Sequence, residues 1–260
     1  TIVLSDSLVS IGSSAFYNCS SLATITLPKT LKLIGSSAFS KCDNLVIVYY
    51  DGTIVDWLGI EFENESSNPI GFATTFMVKN GNGGNLPVTE VTAPSTVVVI
   101  NDYAFYGYKG IEKLILSEGV EEVGEKAFYN CSNLEYLEYP ESLEFIGSNA
   151  FYGSNLKEII YNGASLSSSL FAGQTNLKSI TLNDKITYIP SRTFSKSGLE
   201  QIIIPKSVTS IGFNAFDGCK SLKIVVLSKE TTKIDSSAFI NCENLEAVYY
   251  NGTLQDWCNI

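Results

Sequence analysis

Six cysteines, at positions 19, 42, 131, 219, 242 and 258, are the side chains best suited to chemistry in this 260-residue chain. They have no histidine to work with, because the chain contains none. That removes Ser-His-Asp and Cys-His nucleophilic systems and every His-based zinc or iron site. No C-x-x-C pair occurs, so a zinc cluster is not expected, and neither a metal nor a cofactor is called for. Asn80–Gly84 reads NGNGG, but no Lys-Ser/Thr follows, so it does not read as a phosphate loop. The acidic runs Glu61–Glu65 and Glu121–Glu125 could recruit calcium weakly, yet they read better as a solvated loop and a solvated turn. Paired carboxylates for glycoside hydrolysis need a cleft and opposed geometry, and nothing singles out two of them. The expectation is a protein that is not an enzyme.

Five of the cysteines share one position in a repeat, and that repeat supplies the elements that would hold any site. Residues 11–27 read IGSSAFYNCSSLATITL, and residues 34–50 read IGSSAFSKCDNLVIVYY. Phe16, Phe39, Phe105, Phe128, Phe151, Phe171, Phe194, Phe216 and Phe239 mark the period, mostly 22 or 23 residues, with one interval of 20. The common frame is I-G-x-x-A-F-x-x-C-x-x-L-x-x-I-x-L-P. A period in the twenties marks a solenoid, because one unit cannot bury enough apolar surface to fold alone and must stack on its neighbours. The L-x-x-I-x-L part, as in Leu22, Ile25 and Leu27, ends with apolar residues two apart, the period of a strand with one face inward. A short second strand, V-x-x-I, as in Val120–Val123 and Val208–Ile211, returns on the other side. The A-F-x-x-C segment is expected to be one or two turns of helix. At the repeat position Cys reads as a small buried hydrophobe with a free thiol. Cys19 and Cys42, or Cys219 and Cys242, would sit about 5 Å apart, but with parallel side-chain vectors that suit a disulfide poorly. Cys258 has no visible mate.

The fold class is therefore an α/β repeat solenoid: a right-handed coil with a parallel β-sheet on one face. The repeat I-G-x-x-A-F-x-x-C with its L-x-x-I-x-L strand resembles the BspA-like leucine-rich repeat. So does the segment VYYDGTIVDWLGI at 48–60, which recurs as VYYNGTLQDWCNI at 248–260 and holds both tryptophans, Trp57 and Trp257. Four parts follow: a repeat block at 1–50, a Trp-containing insert with a β-hairpin near Asn80–Asn85 at 51–90, a second repeat block at 91–250, and the start of another Trp-containing insert at 251–260. The insert reads as a structural joint in which Trp57 caps a core, or as a hairpin that captures a ligand. The interval of 20 predicts an irregularity near Asn162–Ser169. The resemblance implies a secreted or cell-surface bacterial protein that adheres to other proteins, host extracellular-matrix or cell-surface proteins among them. Both termini fall inside repeat units, which reads as a fragment of a longer protein.

Net charge of −10 with 17 scattered basic residues argues against nucleic acid. No apolar run approaches the ~20 residues of a membrane span, and the first residues lack the pattern of a signal peptide. A partner would meet the outward side of the strands. The outward column reads Thr26, Tyr49, Ile115, Glu138, Ile160, Thr181, Ile203, Val226, Tyr249, and six of those nine are Ile, Val or Tyr. The column two residues earlier contributes Tyr136. An aligned apolar stripe marks a contact surface, unless cross-strand pairs merely stabilise the ladder. The candidate protein-binding residues are Tyr49, Ile115, Tyr136, Ile160, Ile203, Val226 and Tyr249. Self-association through the same face is a second use of it. The rival to a binding module is a stiff spacer projecting another domain. An accessory region of a surface enzyme is more distant.

Overall fold

The computed structural model describes residues 1–260, which wind as a β-solenoid of about eleven turns with parallel sheets and little helix. Each regular turn has three parts. The L-x-x-I-x-L segment is a strand, as at Thr24–Leu27, Ile47–Tyr50, Lys113–Leu116 and Ile224–Ser228. A two-residue strand follows, as at Leu33–Ile34, Glu122–Val123 and Ser210–Ile211. Successive strands pair in parallel at the repeat spacing, Thr24↔Ile47 to Leu27↔Tyr50 and Ile224↔Ala247 to Ser228↔Asn251. Alternation follows the pleat: Ile25 and Leu27 are wholly buried, while Thr24 and Thr26 between them are half-buried.

The A-F-x-x-C segment is not the short helix expected from its sequence. It holds two residues in the left-handed region four positions apart, such as Ser14 and Asn18 (φ 58° each) or Lys126 and Asn130 (φ 50° and 54°). A right-handed helix cannot pass through such positions. Main-chain donors alternate instead. Ser14, Phe16 and Asn18 donate to the carbonyls of Ser36, Ala38 and Ser40 in the next turn at 2.8–2.9 Å, while Ala15, Tyr17 and Cys19 donate back three residues. The segment is thus a third ladder between turns. The motif glycine lets those turns close up, since a Cβ on Gly147 would lie 2.3 Å from the Glu125 nitrogen.

The motif side chains stack in columns. Phe105, Phe128 and Phe151 lie 5.4 and 5.6 Å apart by ring centroid with planes within 7°. Phe194, Phe216 and Phe239 repeat this at 5.3 and 4.9 Å. The cysteines do more than fill space. The thiols of Cys42, Cys131, Cys219 and Cys242 donate to the carbonyls of Phe16, Phe105, Phe194 and Phe216 one turn earlier, at 3.0–3.2 Å. Where Cys is replaced the bond changes: Ser154 bonds within its own turn, and Tyr108 reaches the turn before. Ser154 Oγ donates to the Phe151 carbonyl, and the Tyr108 hydroxyl donates to the Val88 carbonyl at 2.9 Å.

The chain divides into two compact units, Thr1–Leu134 with Phe145–Ser154, and Glu135–Glu144 with Asn155–Ile260. In the first unit residues 51–90 carry on the winding. Glu61–Phe62 pairs with Leu33–Ile34, and Thr75–Lys79 pairs with Ile47–Tyr50, both in parallel. Thr75–Lys79 then turns through Asn80–Gly84 into the antiparallel strand Asn85–Pro87, the expected hairpin. Trp57, on the helix Ile54–Leu58, is wholly buried against Tyr50, Phe62 and Phe76, and its indole N–H donates to the Ala104 carbonyl at 2.9 Å. In the second unit the strand ladders lapse beyond the short repeat, while Ser169, Phe171 and Gly173 still donate to the Ser191, Thr193 and Ser195 carbonyls. Between Tyr161 and Tyr188 no strand forms, and one β-bridge remains, Ile160↔Thr181.

Candidate protein-binding face

The outward side chains of the long strands form the candidate site. In the second unit Ile203, Val226 and Tyr249 are directly paired neighbours on three adjacent strands. Ile203 is 64% exposed and Tyr249 58%, with Val226 half-buried between them. Ile224, two residues before Val226, widens the patch. Ile160, 41% exposed, is apart from that trio: its paired neighbours are Glu138 and Thr181. Tyr136 faces Glu158 across the same strand pair and is half-buried. The stripe is therefore continuous over three strands and interrupted by polar residues at Glu138 and Thr181.

In the first unit Tyr49 stands between Thr26 and Met77. Met77 was invisible to the repeat frame because it lies in the insert, although its strand reads TFMVK with the same alternation. Ile115 pairs with Thr92 and is half-buried. The column two residues earlier holds an exposed ion pair, Lys113 to Glu90 at 3.2 Å.

A second aromatic feature escaped the sequence reading. Tyr106, Tyr129 and Tyr152, each following a motif Phe, stack at 5.1 and 5.4 Å with planes within 20°. The dipeptide Phe-Tyr recurring at 105, 128 and 151 is its signal. Tyr129 is stacked on both faces, and Tyr152 at the end of the row is 51% exposed. Burial raises the Tyr106 hydroxyl, helped by the nearby Glu65 carboxylate.

Two of the carboxylates gathered by the fold, Glu63 and Asp102, are engaged with the main chain. A cleft of about 380 Å³ is lined by Glu61, Glu63, Asp102 and Glu122. Glu63 Oε2 accepts the Ser36 N–H at 2.7 Å, and Asp102 Oδ1 accepts the Glu125 N–H at 2.5 Å. Both carboxylates thereby extend the ladder between turns. Burial pushes the Cys42 and Cys131 thiols upward from the usual thiol range, which disfavours their thiolates.

Residues 1–73, 84–168 and 161–259 match the BspA type leucine rich repeat region, in six copies. The chain belongs to the BspA-type leucine-rich repeat family. It is similar to a leucine rich cell surface protein of Faecalibacterium prausnitzii, at 20% identity over 100% of this chain and 89% of that one, with a TM-score of 0.47. A leucine-rich repeat protein of Bacteroides ovatus is 22% identical over 95% of this chain and 78% of that one, with a TM-score of 0.50. The pneumococcal vaccine antigen PcpA is 16% identical over 98% and 78%, with a TM-score of 0.44. No curated protein matches the chain. No helix is long and apolar enough to cross a membrane.

Proposed function

We propose that this chain is a non-catalytic protein-binding module of a secreted or cell-surface bacterial protein, and that it binds through the outward face of its long strands. The observation that carries the reading is the paired trio Ile203, Val226 and Tyr249, which keeps apolar side chains in solvent on three adjacent strands. An apolar patch held in solvent by rigid strands costs solubility, and a passive spacer could stabilise its ladder with Thr in the same places. Tyr249 adds an aromatic anchor of the kind enriched where proteins bind tightly. Membership of the BspA-type family supports a surface location and adhesion, with host matrix or cell-surface proteins as the partner class.

The test replaces Ile160, Ile203 and Val226 together by Thr, which keeps β-branching and so spares the ladder. Binding of the purified chain to immobilised extracellular-matrix proteins is expected to fall at least tenfold while circular dichroism is unchanged. Unchanged binding would remove the stripe from the interface. Light scattering of the purified chain separates the second use of the face. A dimer that the triple variant turns into monomer would assign the stripe to self-association instead.

A further inference from the structure

One place in the second unit leaves main-chain hydrogen-bonding groups open between two adjacent turns. In the regular turns, outward residues pair backward and inward residues pair forward. The Leu4 N–H donates to the Thr26 carbonyl at 3.1 Å, and the Asp51 N–H to the Leu27 carbonyl at 2.9 Å. By the same register Ile180 and Leu182 turn their main chain toward Gln201 and Ile203. No main-chain bond joins the two segments. The last before the break is Glu200 N–H to Lys178 carbonyl at 3.0 Å, and the next is Thr209 N–H to Thr187 carbonyl at 3.0 Å. An exposed ion pair, Lys206 to Asp184 at 3.4 Å, spans the rim.

The break holds a cavity of about 460 Å³ lined by both segments, Ser179 to Leu182 on one side and Gln201, Ile203 and Ile204 on the other. That lies within the ~300–1,000 Å³ range of ligand pockets. Its floor is core. Ile180 and Leu182 are each 8% exposed, against 0% for their counterparts Ile25 and Leu27. Ser179–Leu182 keeps one bridge on its near side, Thr181 to Ile160, and has no strand partner on the other.

We propose that this break captures an extended peptide. The peptide's main chain pairs with the open edges of Ser179–Leu182 and Gln201–Ile204. One apolar side chain fills the cavity against Ile180, Leu182 and Ile204. Main-chain groups spaced at the strand repeat recognise another extended main chain, as in strand addition to a sheet edge, and an unfilled apolar floor selects an apolar side chain. The site reads backbone and one side chain, and so differs in chemistry from the stripe, with which it shares Ile203.

The experiment uses the full chain, isotopically labelled, and the peptide acetyl-Thr-Val-Leu-Val-Thr-amide as probe. Amide shifts are expected at 179–184, at 201–204 and at Lys206. The same peptide N-methylated at its Val residues should bind at least tenfold more weakly, because it loses main-chain donors. Ser179→Trp, at an exposed position on the rim, should block the cavity and abolish the shifts. Gln201→Trp does the same from the facing segment if the first variant misfolds. Binding to matrix proteins through the stripe should survive Ser179→Trp, so the two sites fail separately. Shifts absent from both segments at millimolar peptide, or an N-methylated peptide that binds equally, would overturn the proposal.

Discussion

The segments Tyr50–Gly59 and Tyr250–Asn259 share a local sequence and a local structure but not an environment. In each a Thr caps a short helix and an Asp three residues on closes the capping box, with Thr N–H to Asp Oδ2 distances of 2.8 and 2.9 Å. In each the Trp packs on the preceding Tyr, with centroids 5.3 and 5.4 Å apart. Yet Trp57 is wholly buried and Trp257 is 41% exposed. The difference comes from what packs next. Phe62, Phe76 and the Ala104 carbonyl close around Trp57, and none of these contacts is encoded in the five residues that the two ten-residue copies share. Helix and cap are local properties; burial is a property of the neighbouring turn.

The sharpest way to break that comparison is to truncate both indoles. Trp57→Ala removes a buried ring from a site pinned on four sides and leaves the Ala104 carbonyl without its indole donor. A loss of about 3–5 kcal/mol is expected. Trp257→Ala should cost no more than about 0.5 kcal/mol. Urea titrations followed by far-ultraviolet circular dichroism check both. Equal losses would mean that the exposed copy is packed in solution as tightly as the buried one.

Phenols show the same dependence on the neighbouring turn. Tyr139 and Tyr161 stack at 4.4 Å, and burial pushes the Tyr139 hydroxyl up to about 12. The folded state then prefers the neutral phenol. Its contribution is whole below the ordinary value near 10 and is lost as pH rises from there through about 12. The loss at the top of that window is about 2–3 kcal/mol. Unfolding titrations between pH 9 and 12 should steepen in that interval, and Tyr139→Phe should make them less steep, the buried Tyr50 and Tyr161 keeping their own share. A wild-type curve as flat as that of the variant would show Tyr139 to be wet.

How much of this was legible beforehand depended on whether a feature was local or passed between turns. The strands were, because Ile25 and Leu27 announce an inward face by spacing alone. The hairpin at Asn80–Gly84 was too. The A-F-x-x-C turn was misread as helix because small and apolar residues at that spacing suit a helix. The left-handed residues that forbid one include Ser14, Lys126 and Arg192 as well as Asn and Gly, so residue type gave little warning. The role of Cys131 was missed for another reason: its thiol bonds to a carbonyl one turn away, and that partner is backbone. Within the candidate face, the trio Ile203, Val226 and Tyr249 was legible from the column. Met77 was not, since the insert shifts it out of the frame.

Cysteine offers a smaller contrast of the same kind. Cys131 is wholly buried and Cys258 exposed. Dithionitrobenzoate should label Cys258 in the native chain at least a hundredfold faster than Cys131, which should react only on unfolding. Cys131→Val preserves an apolar filler but deletes the thiol bond to the Phe105 carbonyl. That carbonyl still accepts the Tyr108 N–H, so the expected cost is about 1 kcal/mol. A neutral Cys131→Val would restore the reading of the motif cysteine as a plain hydrophobe.

The smallest effect belongs to the cap that the two copies share. Hydrogen bonds from the Thr253 hydroxyl and the Thr253 N–H hold the Asp256 carboxyl below its usual range. The folded cap therefore favours the carboxylate. Its support is present above the ordinary Asp value near 3.9 and is lost as pH falls through the lower, folded value. The Thr253 amide proton reports this directly, because its acceptor is the titrating oxygen. Its shift should titrate with a midpoint below 3.9, and Thr253→Ala, which removes the hydroxyl donor, should move the Asp256 midpoint back up. A midpoint at the ordinary value would mean that the exposed copy does not hold its capping box in solution. The two segments would then differ in local structure as well as in burial, and the helix, like the indole, would depend on the turn stacked beside it.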